Sequence, residues 1–191
     1  MPGTTIGPLF DAGQLEADVI AALKTGLPHY LRHVESLTGH ATLAPVKSWA
    51  VISEYDRFPE DGLPALIVAA PGLVEEPDRD GEGFYTATWS LEVSVTVGGQ
   101  NPKQTRRVSQ LYAAAVRGAM LQLPIPNADV KRWLDETYDD VPTAKRRSIL
   151  ATSNVFAVEV TDVVTDQGRY TADGEWPTAD TVQTETEKRE R

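Results

Sequence analysis

The stretch "FYTATWSLEVSVTV", residues 84–97, constrains the fold of this chain more than any other. Tyr85, Ala87, Trp89, Leu91, Val93, Val95 and Val97 fall on one face of an extended backbone, and Thr86, Thr88, Ser90, Glu92, Ser94 and Thr96 on the other. A period of two held this long predicts a strand with one face on a core and one on water, as in an antiparallel sheet. The period then changes. Val108, Leu111, Tyr112, Ala115, Ala119, Met120 and Leu123 share one helical stripe, with Arg106, Arg107 and Arg117 off it. Between strand and helix, Gly98 and Gly99 are expected to permit a backbone reversal. Asn101 then caps the helix, Pro102 takes its first position, and Gln104 completes a capping box.

Strand, glycines and helix in that order are also where phosphate loops sit. Such a loop needs Gly-x-x-x-x-Gly-Lys followed by Ser or Thr, so that backbone N–H groups wrap the phosphates and the lysine reaches them. Here the two glycines are adjacent, no third follows, and Lys103 precedes Gln104. Cap and turn chemistry account for the whole stretch without a nucleotide.

Leu15, Val19, Ile20 and Leu23 predict a leading helix over 14–24 with Asp11 as its cap. Gly26 and Pro28 interrupt that pattern and Leu27, Tyr30, Leu31 and Val34 resume it, giving a second short helix or a kinked continuation that ends at Gly39. Strands are expected over 47–55, over the apolar run 63–72, over 84–97 and over 148–164. "PIPNADVKRWLDETYDDVP" reads as a connection with a helical turn or two around Val130 to Leu134. The order α-β-β-β-α-β predicts an α+β fold: one mainly antiparallel sheet with the two main helices packed on one face. Residues 1–172 form a single domain in this reading, and 173–191, polar and without a periodic apolar pattern, form an extension.

Of the 191 residues, 41% are hydrophobic, which suffices for one core, and no run approaches the roughly 20 apolar residues of a membrane span. The N-terminus lacks the basic start and apolar block of a signal peptide. The absence of cysteine excludes disulfides and thiolate metal sites and fits synthesis inside a cell. The net charge of -10 disfavours nucleic-acid binding, but it is unevenly spread. Residues 51–100 hold ten acids and two bases, whereas residues 101–150 hold nine bases and five acids. Such patches either meet head to tail between identical subunits or form an ordinary solvated surface.

Chemical signatures are sparse. His29 and His33 have the spacing of two metal ligands on a helix, with His40 nearby, but Tyr30 stands where a catalytic zinc helix carries glutamate. "DRDG" at 78–81 begins like a calcium loop, yet its twelfth position is Trp89, inside the strand, so a hairpin turn is the better account. No cysteine, Gly-x-Ser-x-Gly elbow or histidine outside the first forty residues offers a nucleophile with its base, and Asp139 and Asp140 are an ordinary surface pair. No enzyme, metal or cofactor is therefore expected. Trp133, Tyr138 and Trp176 are large aromatics in polar segments. They either cover an edge of the domain or make subunit contacts.

Taken together, "LEADVIAALK", "YTATWSLEVSVTV", "TRRVSQLYAAAVRGAML", "VKRWLDETYDD" and "VFAVEVTDVV", within residues 14–165, resemble the tail terminator proteins of long-tailed bacteriophages, and among them those of phages infecting actinobacteria. The resemblance implies a small α+β protomer that assembles into a six-membered ring in the host cytoplasm and ends up in the virion. The ring caps the tail tube, stops its polymerisation and offers the surface to which the head attaches. Its partners would be further copies of itself, the tail tube protein and a head-closure protein, with DNA passing through rather than bound, and no membrane. No catalytic residues carry over. On charge and exposure alone, Arg106, Arg107, Arg117, Trp133, Tyr138 and Trp176 are candidate assembly contacts. The acids Glu75, Glu76, Asp78, Asp80 and Glu82 either line a repelling channel or only keep the protein soluble. A neck or head-closure protein is the near alternative, and a small ligand-binding or enzymatic α+β domain the distant one.

Overall fold

A computed structural model describes residues 12–39, 43–51, 60–79, 85–99, 101–141 and 148–161. Its elements run α1 (Ala12–Thr38), β1 (Ser48–Val51), β2 (Ala65–Leu73), β3 (Asp78–Arg79), β4 (Tyr85–Gly99), α2 (Pro102–Met120), β5 (Ala128–Asp140) and β6 (Ser148–Val160). The main sheet has the order β1-β2-β4-β6-β5, and β3 pairs with β4 outside that path. Every described pairing is antiparallel except β1 with β2, which is parallel. The fold is α+β, with α1 packed on β1 and β2, and α2 on β4, β6 and β5.

One face of the sheet carries the core. Leu91, Val93 and Val95 of β4 lie opposite Phe156, Asn154 and Thr152 of β6, and Leu66 and Val68 of β2 flank them. All eight are fully buried. Leu15, Val19, Leu23, Leu27 and Leu31 descend from α1 onto this face, and Leu111, Tyr112, Ala115, Val116 and Ala119 from α2. From Ala87 to Val97 the alternation thus points its apolar row at both helices, as the sequence implies.

α1 is one helix through Gly26 and Pro28, so of the two readings the continuation holds and the second short helix does not. Pro28 deletes an N–H and costs about 3 kcal/mol in an unsupported helix. The buried leucines on both sides each return about 1.5–3 kcal/mol, so packing holds the helix through the proline. Gly26 has a packing role too: a Cβ there would sit 2.4 Å from a methyl of Leu123, so the glycine admits the segment that follows α2.

Gly98 and Gly99 make no reversal. They are the last residues of β4 and pair with Ile149 and Ser148. The reason for glycine at 99 is proximity, since a Cβ would meet the Thr105 hydroxyl at 2.4 Å. The α2 cap is as expected at Asn101, whose side chain accepts the Lys103 N–H at 3.0 Å with Pro102 at the first position. The side chain that reaches back is that of Thr105, donating to the Asn101 carbonyl at 3.0 Å, and not that of Gln104.

The larger departure is β5. The segment expected to be a connection with helical turns is a 13-residue strand at the sheet edge, paired along most of its length with β6. Register shifts at Val130/Arg132 and Trp133/Asp135 interrupt its alternation. The residues on its helix-facing side are consequently Ala128, Val130, Trp133, Glu136 and Tyr138, opposite Val160, Val158, Phe156, Asn154 and Thr152. Bulges turn steps of two into steps of three, and three-residue spacing imitates a helix.

Candidate interaction surfaces

Four of the expected contact residues converge where α2 meets β5. The Arg117 guanidinium donates to Glu136 at 2.7 Å and lies over the Trp133 ring, 4.4 Å from its centroid. The Tyr138 hydroxyl donates to the other oxygen of Glu136, and Arg106 sits 5.8 Å over the Tyr138 ring. Burial, reinforced by the Glu136 bond, pushes the Tyr138 hydroxyl up to about 12. These side chains therefore clamp a helix onto an edge strand within one chain. Trp133, 42% exposed, and Leu134, 44% exposed, still present apolar surface beside the clamp. On the opposite side of β5, Lys131 bridges Asp129 at 2.9 Å and Glu159 at 2.8 Å. Its hydrogen bonds, to Glu159 first and then Asp129, raise its ammonium to about 12.

The sheet face away from the helices carries hydroxyl and small side chains along its middle, with Glu92 among them and the Lys131–Asp129–Glu159 cluster at its β5 side. Ser90, Ser94 and Thr96 of β4 alternate with the core row, and the Ser94 and Ser153 hydroxyls bond across to β6. Neither α1 nor α2 packs on this face, and at its β1 end the Ser48 hydroxyl donates to the Gly62 carbonyl at 2.9 Å.

Arg107 parts from Arg106. Adjacent positions on a helix diverge by about 100°, and Arg107 lines a groove of about 580 Å3 between the start of α2, the 43–44 segment and the cis Leu63–Pro64 peptide. The floor is apolar, with Leu43, Leu63, Val108 and Leu111, and Lys103 and Arg107 stand around it. One wall is pinned twice. The Tyr112 hydroxyl donates to the Ala44 carbonyl, and the Leu43 N–H donates to Glu35. Burial, with the Glu35 carboxylate nearby, drives the Tyr112 hydroxyl far above the ordinary tyrosine range. The groove had no signal in the sequence, because three separated segments build it.

The acids Glu75, Glu76 and Asp78 are exposed between β2 and β4, with Asp78 paired to Thr86 through β3. That pairing supports the hairpin account of "DRDG". Asp80, Glu82, Trp176, Asp11 and His40 lie outside the described residues. His29 and His33 are exposed on α1, and the His29 ring packs edge-on against Tyr30 with centroids 5.7 Å apart. Asp139 and Asp140 are exposed at the end of β5.

No protein-family model matches this chain, and no curated protein matches it. Among solved structures, a chain from the virion of a native gene transfer agent particle is similar, at 18% identity and a TM-score of 0.43, over 75% of this chain and 97% of that one. At that level of likeness, function has to be argued from the residues of this chain.

Proposed function

We propose that this chain is a structural protein of a phage-type virion and, within that class, the tail terminator. It assembles into a ring, six-membered by family resemblance, that caps the tail tube, stops its growth and receives the head. It acts by binding, without catalysis and without a cofactor. The observation that supports this reading best is the one-sided fold. Both α-helices sit on one sheet face, so among the described residues the hydroxyl-bearing face and the edge strand β5 present polar side chains to protein neighbours. Short side chains such as Ser90, Ser94 and Ser153 let another backbone approach closely and offer hydroxyls to bond it. The sequence resemblance over 14–165 supplies the identity of those neighbours.

Negative-stain microscopy of the purified protein, alone and mixed with tail tube protein, tests the proposal. Annular particles, or density added to tube ends, are expected. Monomers in both preparations would overturn it. The groove gives the distant alternative one specific support, since about 300–1,000 Å3 is the usual size of a small-ligand site. A small-ligand domain would remain monomeric in that experiment.

A further inference from the structure

The groove lies at one end of the sheet and the chain leaves the described fold at the other. Val97 and Gly98, which line the groove, pair with Leu150 and Ile149 at the start of β6, whereas Val160 at the end of β6 pairs with Ala87. At about 3.3 Å per residue the 13 residues of β6 separate these ends by roughly 40 Å. The sequence beyond β6 contains "DGEWPTAD", residues 173–180, with Asp173, Glu175 and Asp180, no base, and one large aromatic, Trp176. The charged side chains lining the groove, among the described residues, are both basic, and its floor is apolar. Trp176 precedes Pro177, and a residue before proline is biased towards extended backbone, a bias that lowers the ordering cost of docking.

We propose that the groove of one copy receives residues 173–180 of a second copy, with the Trp176 indole on the Leu43, Leu63, Val108 and Leu111 floor and the neighbouring carboxylates facing Lys103. A segment leaving one end of a protomer and docking at the opposite end of the next makes a head-to-tail contact, the type that closes into rings. To reach its own groove, the segment would have to run back along the whole sheet. The 16 residues from Val160 to Trp176 span at most about 55 Å, so that path uses most of their length. This inference rests on the ring reading above and names the contact that joins its protomers.

The test uses the full chain carrying Trp176→Ala, whose own segment lacks the anchor, and a fluorescent synthetic peptide of residues 171–183 followed by anisotropy. Saturable binding is expected. A peptide carrying Trp176→Ala should bind about thirtyfold more weakly, the loss usual for a buried aromatic anchor. Adding Lys103→Glu to the protein should weaken binding about two- to fivefold. A Glu175→Lys peptide should regain affinity for that variant. Sedimentation of the full chain should show self-association that Trp176→Ala abolishes. Absence of peptide binding, or binding indifferent to both Trp176 and Lys103, would overturn the inference. If rings form equally with and without Trp176, the inference falls while the terminator reading stands. A wild-type chain that stays monomeric while the peptide binds would mean that each copy fills its own groove, which overturns the exchange between copies and the ring together.

Discussion

Asn154 is the residue whose surroundings fit its chemistry least. It is fully buried on β6, facing the helices, and neither its amide nitrogen nor its oxygen has a hydrogen-bond partner. One pair further along, Ser109 and Thr152, equally buried, bond each other. A buried polar group without a partner is a net loss, and an apolar side chain of similar size removes it. Asn154→Val should therefore stabilise the fold by about 1 kcal/mol, read as a rise of about 2–4 °C in the thermal midpoint. A fall instead would show that the amide is bonded in solution. Glu16 shows the opposite case. It is buried in α1, and its carboxylate accepts the Ala70 N–H at 2.8 Å, where the β2–β4 register slips between Ala69 and Gly72. The two tyrosines with raised hydroxyls give a pH dependence. A folded value above the unfolded one means that the fold favours the protonated phenol, so the stabilisation is complete below pH 10 and is lost as pH rises. For Tyr138 the loss runs from about 10 to about 12, and for Tyr112 it extends further. Denaturant midpoints should fall through that range, less steeply in Tyr138→Phe and Tyr112→Phe. Equal slopes in all three proteins would show that neither hydroxyl matters.

At the scale of elements, the clamp between α2 and β5 is where the sequence was both informative and misleading. Arg106, Arg117, Trp133 and Tyr138 stood out by type, and they do come together, but around Glu136 and within one chain. Glu136 gave no signal, because one acid among several in "LDETYDD" looks like surface. β4 and α2 were legible since each has one buried face and one exposed face over many residues, so period and burial agree. β5 was not, because it is an edge strand whose two bulges break the period and whose charges blunt an open edge. In α1 the sequence does not decide between two helices and a continuation, for a related reason: local propensity at Gly26 and Pro28 yields to packing that only the assembled fold supplies. The clamp itself can be measured. Arg117 and Glu136 are partly buried, with side chains 33% and 17% exposed, so a double-mutant cycle of Arg117→Ala and Glu136→Ala should give a coupling above the roughly 1 kcal/mol ceiling of exposed pairs. Arg117→Lys should recover only part of it, since an ammonium keeps the charge but loses the planar stack on Trp133. Full recovery by lysine would mean that the stack contributes nothing.

Over the whole molecule, charge is separated along the length of β4. Glu75, Glu76 and Asp78 lie by its first residues, through the Asp78–Thr86 pairing, and Lys103, Arg106 and Arg107 follow its last residue at the start of α2. Fifteen strand residues put these ends about 45–50 Å apart. In a head-to-tail ring the acids have two possible uses, and those uses exclude each other. Acids that meet the basic end of a neighbour contribute to assembly, and their contact weakens with salt, because screening sets in over about 8–10 Å near physiological ionic strength. Acids that line the channel leave assembly alone and repel the duplex that passes through. In either case the wild-type protein should not bind duplex DNA at micromolar concentration in moderate salt, because a net charge of -10 offers the phosphates no collective attraction. Tight duplex binding would point to nucleic-acid processing and away from a passive channel. The triple reversal Glu75→Lys, Glu76→Lys and Asp78→Lys separates the two uses. These side chains are exposed, so the fold should persist. If they line the channel, rings should still form, and they should now retain duplex in a salt-sensitive way. If they meet a neighbour, rings should be lost, and reversing Arg106 to glutamate in the same chain should restore them in part. Rings that persist and still ignore DNA would place the acids on the outer surface, as solubilising charge alone.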